Sequence, residues 1–190
     1  EQLERSGQGD RMGASAGIRG HLIDPARFIG RWTMVARRGR RATDPILFED
    51  EIKNIVVDLG LNTLLGVTLT RETQTNTWHV GVTSGTPTAA AGDTMASHSG
   101  WAELTLYSEA ARLTWVGSRS ANLSATNPTA LVFTINTGAT IGGAFLVGSA
   151  NTKGGTTGTL YAVGALAGGN RVLASGDTLS ITATFTNTTA

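Results

Sequence analysis

The stretch Asp177-Thr-Leu-Ser-Ile-Thr-Ala-Thr-Phe-Thr-Asn187 puts Leu179, Ile181, Ala183 and Phe185 at every second position, with Ser180, Thr182, Thr184 and Thr186 between them. Side chains alternate faces along a strand, so this segment has one apolar face and one hydroxyl-bearing face. Working outward, similar short runs read as strands over about 77–83, 100–107, 111–117, 119–125, 129–136, 139–148 and 158–167. Gly, Asn, Asp and Pro punctuate them. Asn127-Pro128 and Asn136-Thr137-Gly138 mark turns, and residues 149–157 read as a hairpin loop. Eight or so strands at this spacing predict a mainly β fold, an antiparallel β-sandwich of jelly-roll-like form. The pattern leaves strand order open.

Upstream, Arg31-Trp32-Thr33-Met34-Val35-Ala36-Arg37 alternates as a strand with Trp32, Met34 and Ala36 inward, and Arg37-Arg38-Gly39-Arg40-Arg41 forms a basic turn around a glycine. Glu49, Asp50 and Glu51 then stand where carboxylates favour a helix N-terminus. Ile52, Ile55, Val56 and Leu59 follow at helical spacing, with Gly60 or Gly66 to end the helix. Residues 1 to about 26 carry few large apolar side chains, too few to offset an ordering cost of about 1–2 kcal/mol per residue. The expected division is an extended basic N-terminal arm over residues 1–47 and a β-sandwich domain, with one short helix at its start, over residues 48–190.

Charged residues make up only 15% of the chain, well below the usual quarter, so Thr, Ser, Asn and Gly must cover the surface. Such a surface suits close contact with neighbours, because docking it strips few ions of water. There is no Cys, which excludes disulfides and thiolate metal sites. No apolar run approaches the length of a membrane span, and none reads as a signal peptide. The net charge of +1 is uneven: residues 1–47 hold nine Arg against five acidic residues, a net +4, and the remainder holds six basic against nine acidic residues, a net −3.

Catalytic constellations fare poorly. His79, His98 and Asp93 lack the His-x-x-x-His or paired-carboxylate spacing of a metal site, and polar loop residues explain them better. Glu103 and Glu109, flanked by Trp101 and Tyr107, have the residue types of a glycosidase pair, yet Trp101, Leu104, Leu106 and Trp115 are equally expected as sandwich core and edge. No Gly-x-Ser-x-Gly elbow occurs. Gly154-Gly155 and Gly168-Gly169 do not open a helix after a strand, as a phosphate loop would. The Arg37–Arg41 cluster has arginines suited to phosphates but only Trp32 for stacking, so a clamp on a protein partner's carboxylates is the better reading. The expectation is no enzyme activity, no cofactor, no metal, no nucleic acid and no membrane.

Seven blocks in order carry a resemblance. They are Lys53-Asn-Ile-Val-Val-Asp-Leu-Gly-Leu-Asn-Thr-Leu-Leu65, Thr77-Trp-His-Val-Gly-Val82, Gly92-Asp-Thr-Met-Ala-Ser-His-Ser-Gly-Trp-Ala-Glu103, Tyr107-Ser-Glu-Ala-Ala-Arg112, Ala144-Phe-Leu-Val147, Thr152-Lys-Gly-Gly-Thr-Thr-Gly-Thr-Leu-Tyr161 and Gly176-Asp-Thr-Leu179. Together they resemble a family of tailed-bacteriophage virion proteins, often encoded beside the major capsid protein. The likeness covers roughly residues 48–187 and leaves residues 1–47 outside it. It implies a capsid cement or decoration protein on the virion surface, made in the host bacterial cytoplasm, whose partner is the major capsid protein. It brings no catalytic residues with it.

Decoration proteins commonly occupy two-fold or three-fold axes, so the resemblance also implies a homodimer or homotrimer. The charge asymmetry selects Arg31, Trp32, Arg37, Arg38, Arg40 and Arg41 as candidates for contact with the shell. The alternative function is a tail- or fibre-associated host-recognition protein that binds glycans through aromatic loops such as those near Trp78 and Trp101.

Overall fold

The computed structural model describes residues 27–188. The first 26 residues of the expected arm therefore lie outside the described residues. Over the described residues the chain runs through twelve strands and one helix. These are β1 (Arg27–Arg37), β2 (Ile46–Val56), α1 (Asp58–Leu69), β3 (Trp78–Ser84), β4 (Glu103–Leu104), β5 (Leu113–Trp115), β6 (Ser118–Ala121), β7 (Ser124–Thr126), β8 (Leu131–Thr134), β9 (Ala139–Gly148), β10 (Thr159–Leu166), β11 (Arg171–Leu173) and β12 (Thr178–Thr188).

The alternation in β12 is realised as expected. Leu179, Ile181, Ala183 and Phe185 are buried, while Ser180, Thr182, Thr184 and Thr186 lie on the half-buried outer face. One edge of β12 pairs antiparallel with β1 along its whole length, from Arg27 opposite Thr188 to Arg37 opposite Thr178. Its other edge is shared. β8 pairs with Thr178 to Ile181, and β7 with Thr184 to Thr186. Between them the side chain of Asn127 fills the ladder: its amide donates to the Ile181 carbonyl at 3.2 Å, and its Oδ1 accepts the Ala183 N–H at 2.7 Å. A buried amide thus stands in for a missing strand residue and leaves no backbone group orphaned there.

From β1 the sheet continues through β2, β10, β9 and β3, each pairing antiparallel. The far edge of β3 takes β4 and β5. A bridge between Tyr107 and Ile135 then links the segment after β4 to the end of β8, with the Ser108 N–H donating to the Thr134 carbonyl at 2.7 Å. The sheet thereby curls back on itself into two facing layers. Rings meet in the interior: Phe185 lies edge-on to Trp115 and Tyr161, each at 5.7 Å between centroids, and to Trp32 on the adjacent strand at 5.9 Å. A curled, joined sheet removes the long open edges through which strands aggregate.

β9 and β10 are buried on both faces. Their outer side chains Phe145, Val147, Leu160 and Val163 form a second core with Val57, Met95 and Trp101. The start of α1 and the segment over residues 85–102 supply that cover. Gly60 is what lets the helix lie so close, because a Cβ there would collide with the Tyr161 carbonyl.

Three expectations need correction. The helix does not begin at Glu49. Phe48, Asp50, Ile52, Asn54 and Val56 alternate with the more exposed Glu49, Glu51, Lys53 and Ile55, a period of two, and β1 and β10 supply ladder partners on both sides. Strand pairing overrode the helical spacing of Ile52, Ile55 and Val56, and the helix starts at Asp58 instead. The run over 119–125 is not one strand but the hairpin of β6 and β7, turned at Leu123, which adopts a left-handed φ of 58°. The boundary at residue 47 falls inside the fold. β1 lies between β2 and β12, with Trp32, Met34 and Ala36 fully buried, so residues 27–47 belong to the β body rather than to an arm. β11, a short strand on β9, lay in no expected run.

Deleting residues 1–47 would strip β1 from between two strands and expose both of their edges. The expected outcome is loss of the cooperative thermal transition and of the near-ultraviolet circular dichroism of the buried tryptophans. A truncated chain that still melted cooperatively would show that β1 is dispensable.

Candidate functional site

The basic turn is built by glycine and a carboxylate. Gly39 adopts a left-handed φ of 104°, and Asp44 caps the loop by accepting the Arg41 N–H at 2.7 Å. The turn is pinned to the body where Thr178 Oγ1 donates to the Gly39 carbonyl at 2.6 Å. Within it, Arg37 is committed inward, donating to the Asp44 carbonyl at 3.0 Å. Arg38 is exposed and lies 3.9 Å from Asp177. Arg40 and Arg41 are exposed.

The six sequence candidates do not form one patch. Arg31 is on the outer face of β1, six strand positions or about 20 Å from Arg37, and lies 3.9 Å from Glu51. Trp32 is fully buried against Phe185 and is excluded as a contact residue. What remains at the rim is the cluster Arg38, Arg40 and Arg41.

The strongest polar cluster lies elsewhere. Arg112, almost wholly buried, grips Glu103 in a two-pronged ion pair: Nε donates to Oε1 at 2.9 Å and Nη2 to Oε2 at 2.7 Å. The guanidinium also donates to the carbonyls of Ala150 at 3.1 Å and Gly155 at 2.7 Å, and lies 5.2 Å over the Phe145 ring. Glu103 accepts the Gly154 N–H at 2.8 Å. Lys153 reaches over the Tyr107 ring at 4.4 Å and donates to the Tyr107 carbonyl at 2.9 Å. The loop over 149–157 is thus tied to β4 and the segment after it by charge.

This network accounts for the carboxylates considered for hydrolysis. Glu103 is saturated by Arg112 and Gly154, and both oxygens of Glu109 accept the Thr134 N–H at 3.1 Å. Tyr107 is buried beside them, and its hydroxyl is held well above the ordinary tyrosine range, first by burial and then by the negative charge of Glu103.

Asp93 accepts the Ala90 N–H and the Trp101 indole N–H, at 3.1 and 3.0 Å, while His98 stacks on Trp101 at 3.9 Å. Among the described residues, no group of three potential ligands could hold a metal ion. No helix there is long and apolar enough to cross a membrane.

An apolar hollow sits between α1 and the end of the curled sheet. Leu64, Trp78, Trp115, Ala125, Leu146, Tyr161 and Phe185 line a cavity of about 160 Å³. A second hollow of about 130 Å³, lined by Val67, Thr68, Gln74 and Thr75 among others, shares Leu64, Trp78 and Tyr161 with it. Trp78 was legible in sequence as an aromatic position. Its neighbours come from six other elements, and no sequence spacing joins them. Trp101, the other aromatic loop candidate, is buried in the second core. No protein-family model, no curated protein and no solved structure matches this chain.

Two expectations follow. Glu103→Ala leaves the buried Arg112 uncompensated and should cost about 3–5 kcal/mol in urea unfolding, whereas a loss under about 1 kcal/mol would show that the pair is not structural. His79 is only 7% exposed, and burial, with the nearby Arg112 charge second, lowers its pKa below the ordinary 6.5. The folded state thus disfavours protonated His79. Its contribution is fully present above pH 6.5 and is lost as pH falls through the lower folded value. Stability measured between about pH 7.5 and pH 5 should decline, and His79→Gln should flatten that decline.

Proposed function

We propose that this protein is a bacteriophage capsid cement, or decoration, protein. It binds the major capsid protein at the joints between capsomers on the outer shell and stabilises the mature head. The observation that carries this reading is the fate of the residues that produce the resemblance to tailed-phage virion proteins. Glu103, Tyr107, Arg112 and Lys153, drawn from three separate blocks, meet in one network in which Glu103 and Arg112 pair with each other and Lys153 binds the Tyr107 carbonyl. Those blocks describe a frame rather than a reaction centre, and a clamp needs a frame.

Shell expansion and packaged DNA strain the joints between capsomers, and a rigid curled sheet resists being deformed with them. Contact with the shell falls to the exposed rim arginines Arg38, Arg40 and Arg41, with Arg31 on the neighbouring face. Arginine suits carboxylates on a protein surface because its planar fork binds them through two hydrogen bonds. The hydroxyl-rich outer face of β12 adds a surface that docks without stripping water from ions. Repeated over a symmetric lattice, a modest contact is multiplied.

Copy number per purified particle, from quantitative mass spectrometry against the major capsid protein, tests the reading. Roughly one-half to one copy per capsid subunit is expected of a cement. About a dozen copies or fewer per particle would overturn it and place the protein at the portal, neck or tail, where host recognition becomes the leading role.

A further inference from the structure

The loop over 149–157 carries little of the apolar burial that holds the rest of the fold. None of its residues is buried, and Ala150 is its one apolar side chain. Segments with so few apolar contacts open at lower cost than the strands that flank them. Ser149 adopts a left-handed φ of 62°, which a non-glycine residue keeps only where its surroundings hold it. What holds this loop is polar and centres on Arg112 with its partner Glu103. Besides the guanidinium bonds to the Ala150 and Gly155 carbonyls, the Arg112 backbone N–H donates to the Asn151 carbonyl at 2.8 Å. Glu103 takes the Gly154 N–H, and the Ser149 N–H donates to the Thr77 carbonyl at 2.9 Å.

Strand register puts a histidine beside that anchor. Trp78 and Val80 point into the main core, so His79 between them lies on the other face of β3. There it stands opposite Val147 of β9 and Thr114 of β5, with Nδ1 3.4 Å from Thr114 Oγ1. Val147 and Phe145 share that face, and Arg112, two residues before Thr114, lies over the Phe145 ring.

We infer that the loop is a latch opened by a proton: uptake at His79 lifts residues 149–157 from the sheet while β3, β9 and β10 stay paired. The charged groups on the elements packed around His79 lead to this outcome. They are Arg112 before β5, Glu103 and Glu109 on and after β4, Lys153 in the loop, and Asp93 and His98 on the segment over 85–102. β9 contributes none. Each carboxylate is already engaged: Glu103 by Arg112 and Gly154, Glu109 by the Thr134 N–H, and Asp93 by the N–H groups of Ala90 and Trp101. A protonated His79 therefore joins Arg112 and Lys153 as a further cation with no free carboxylate to pair with. Lifting the loop lets water reach both the imidazolium and the guanidinium.

The sign follows from linkage. In the closed state burial, with the Arg112 charge second, holds the His79 pKa below the ordinary 6.5. The open state, where water reaches the ring, binds the proton more tightly. Opening is therefore insensitive to pH well above 6.5. Below that value it is favoured by up to about tenfold per pH unit, until the closed form titrates as well. The strands beneath do not follow, because β3, β9 and β10 each keep ladder partners on both sides. The latch rests on internal geometry and stands apart from the shell-binding reading.

Amide hydrogen exchange of the full chain, followed by NMR from about pH 7.5 to about pH 5 and corrected for the intrinsic pH dependence of exchange, tests it. The Arg112, Ser149 and Gly154 amides, which are bonded only while the loop is closed, should lose protection several-fold. Amides of β9 and β10 should keep theirs. The midpoint of the loss should match the titration of the His79 imidazole in the same spectra. His79→Gln should abolish the response, and His98→Gln should retain it. Loop protection that ignores pH, a loss shared equally with β9 and β10, or a midpoint away from that of His79 would each overturn the inference. So would a response that survives His79→Gln or vanishes in His98→Gln. If His79→Gln does not fold, the match between the two midpoints in the native chain decides.

Discussion

The unbroken ladder between β1 and β12 is the constraint on which the rest of the structure depends. It joins the first and last described strands, and only with both in place can the sheet curl round and pack Trp32, Tyr161 and Phe185 against one another. Contacts so distant in sequence bring no stabilisation until the whole loop between them has been ordered. The fold is therefore cooperative by construction. The places where the ladder would otherwise fail are mended individually, by the Asn127 side chain opposite Ile181 and Ala183 and by the Tyr107–Ile135 bridge.

Scarcity of charge shapes everything else. Most of the carboxylates in the body organise loops rather than face solvent. Asp44, Asp50, Asp93, Glu103, Glu109 and Asp177 each accept a backbone N–H from a turn or a neighbouring segment. A negative charge in such a nest satisfies donors that the strands cannot reach, and it holds a long loop without needing a thick core. This chain has no Cys for stapling, and its loops near β4 and after β9 are pinned by Glu103 and Arg112 instead. The outer surface left over is hydroxyl-rich and interrupted at several places, two of them the arginines of one turn and the leucines of one helix.

These two interruptions lie on different elements, and they differ in kind. The turn after β1 offers charge and hydrogen-bond geometry, which discriminate among partners, whereas the face of α1 offers apolar area, which does not.

The alternation of Leu179 to Phe185 and of Trp32 to Ala36 determined by itself that this would be a β protein and which side chains would form its core. A period of two has only one way to bury its apolar half. The absence of Cys and the low charge were likewise plain in the sequence, and they limited the chemistry available. The rest was decided by tertiary structure. Residues 46–56 carry spacings compatible with either helix or strand, and only the presence of β1 and β10 on their two flanks settled the matter. Arg31 and Arg41 read as one basic cluster in the chain but are parted by the length of a strand. Glu103, Arg112 and Gly154 are spread over about fifty residues and form one site. The leucines of α1 face outward because Gly60 brings the other side of the helix against the Tyr161 carbonyl. Local pattern records which face of an element is apolar. What that face meets depends on strand order and layer packing, which no local spacing records.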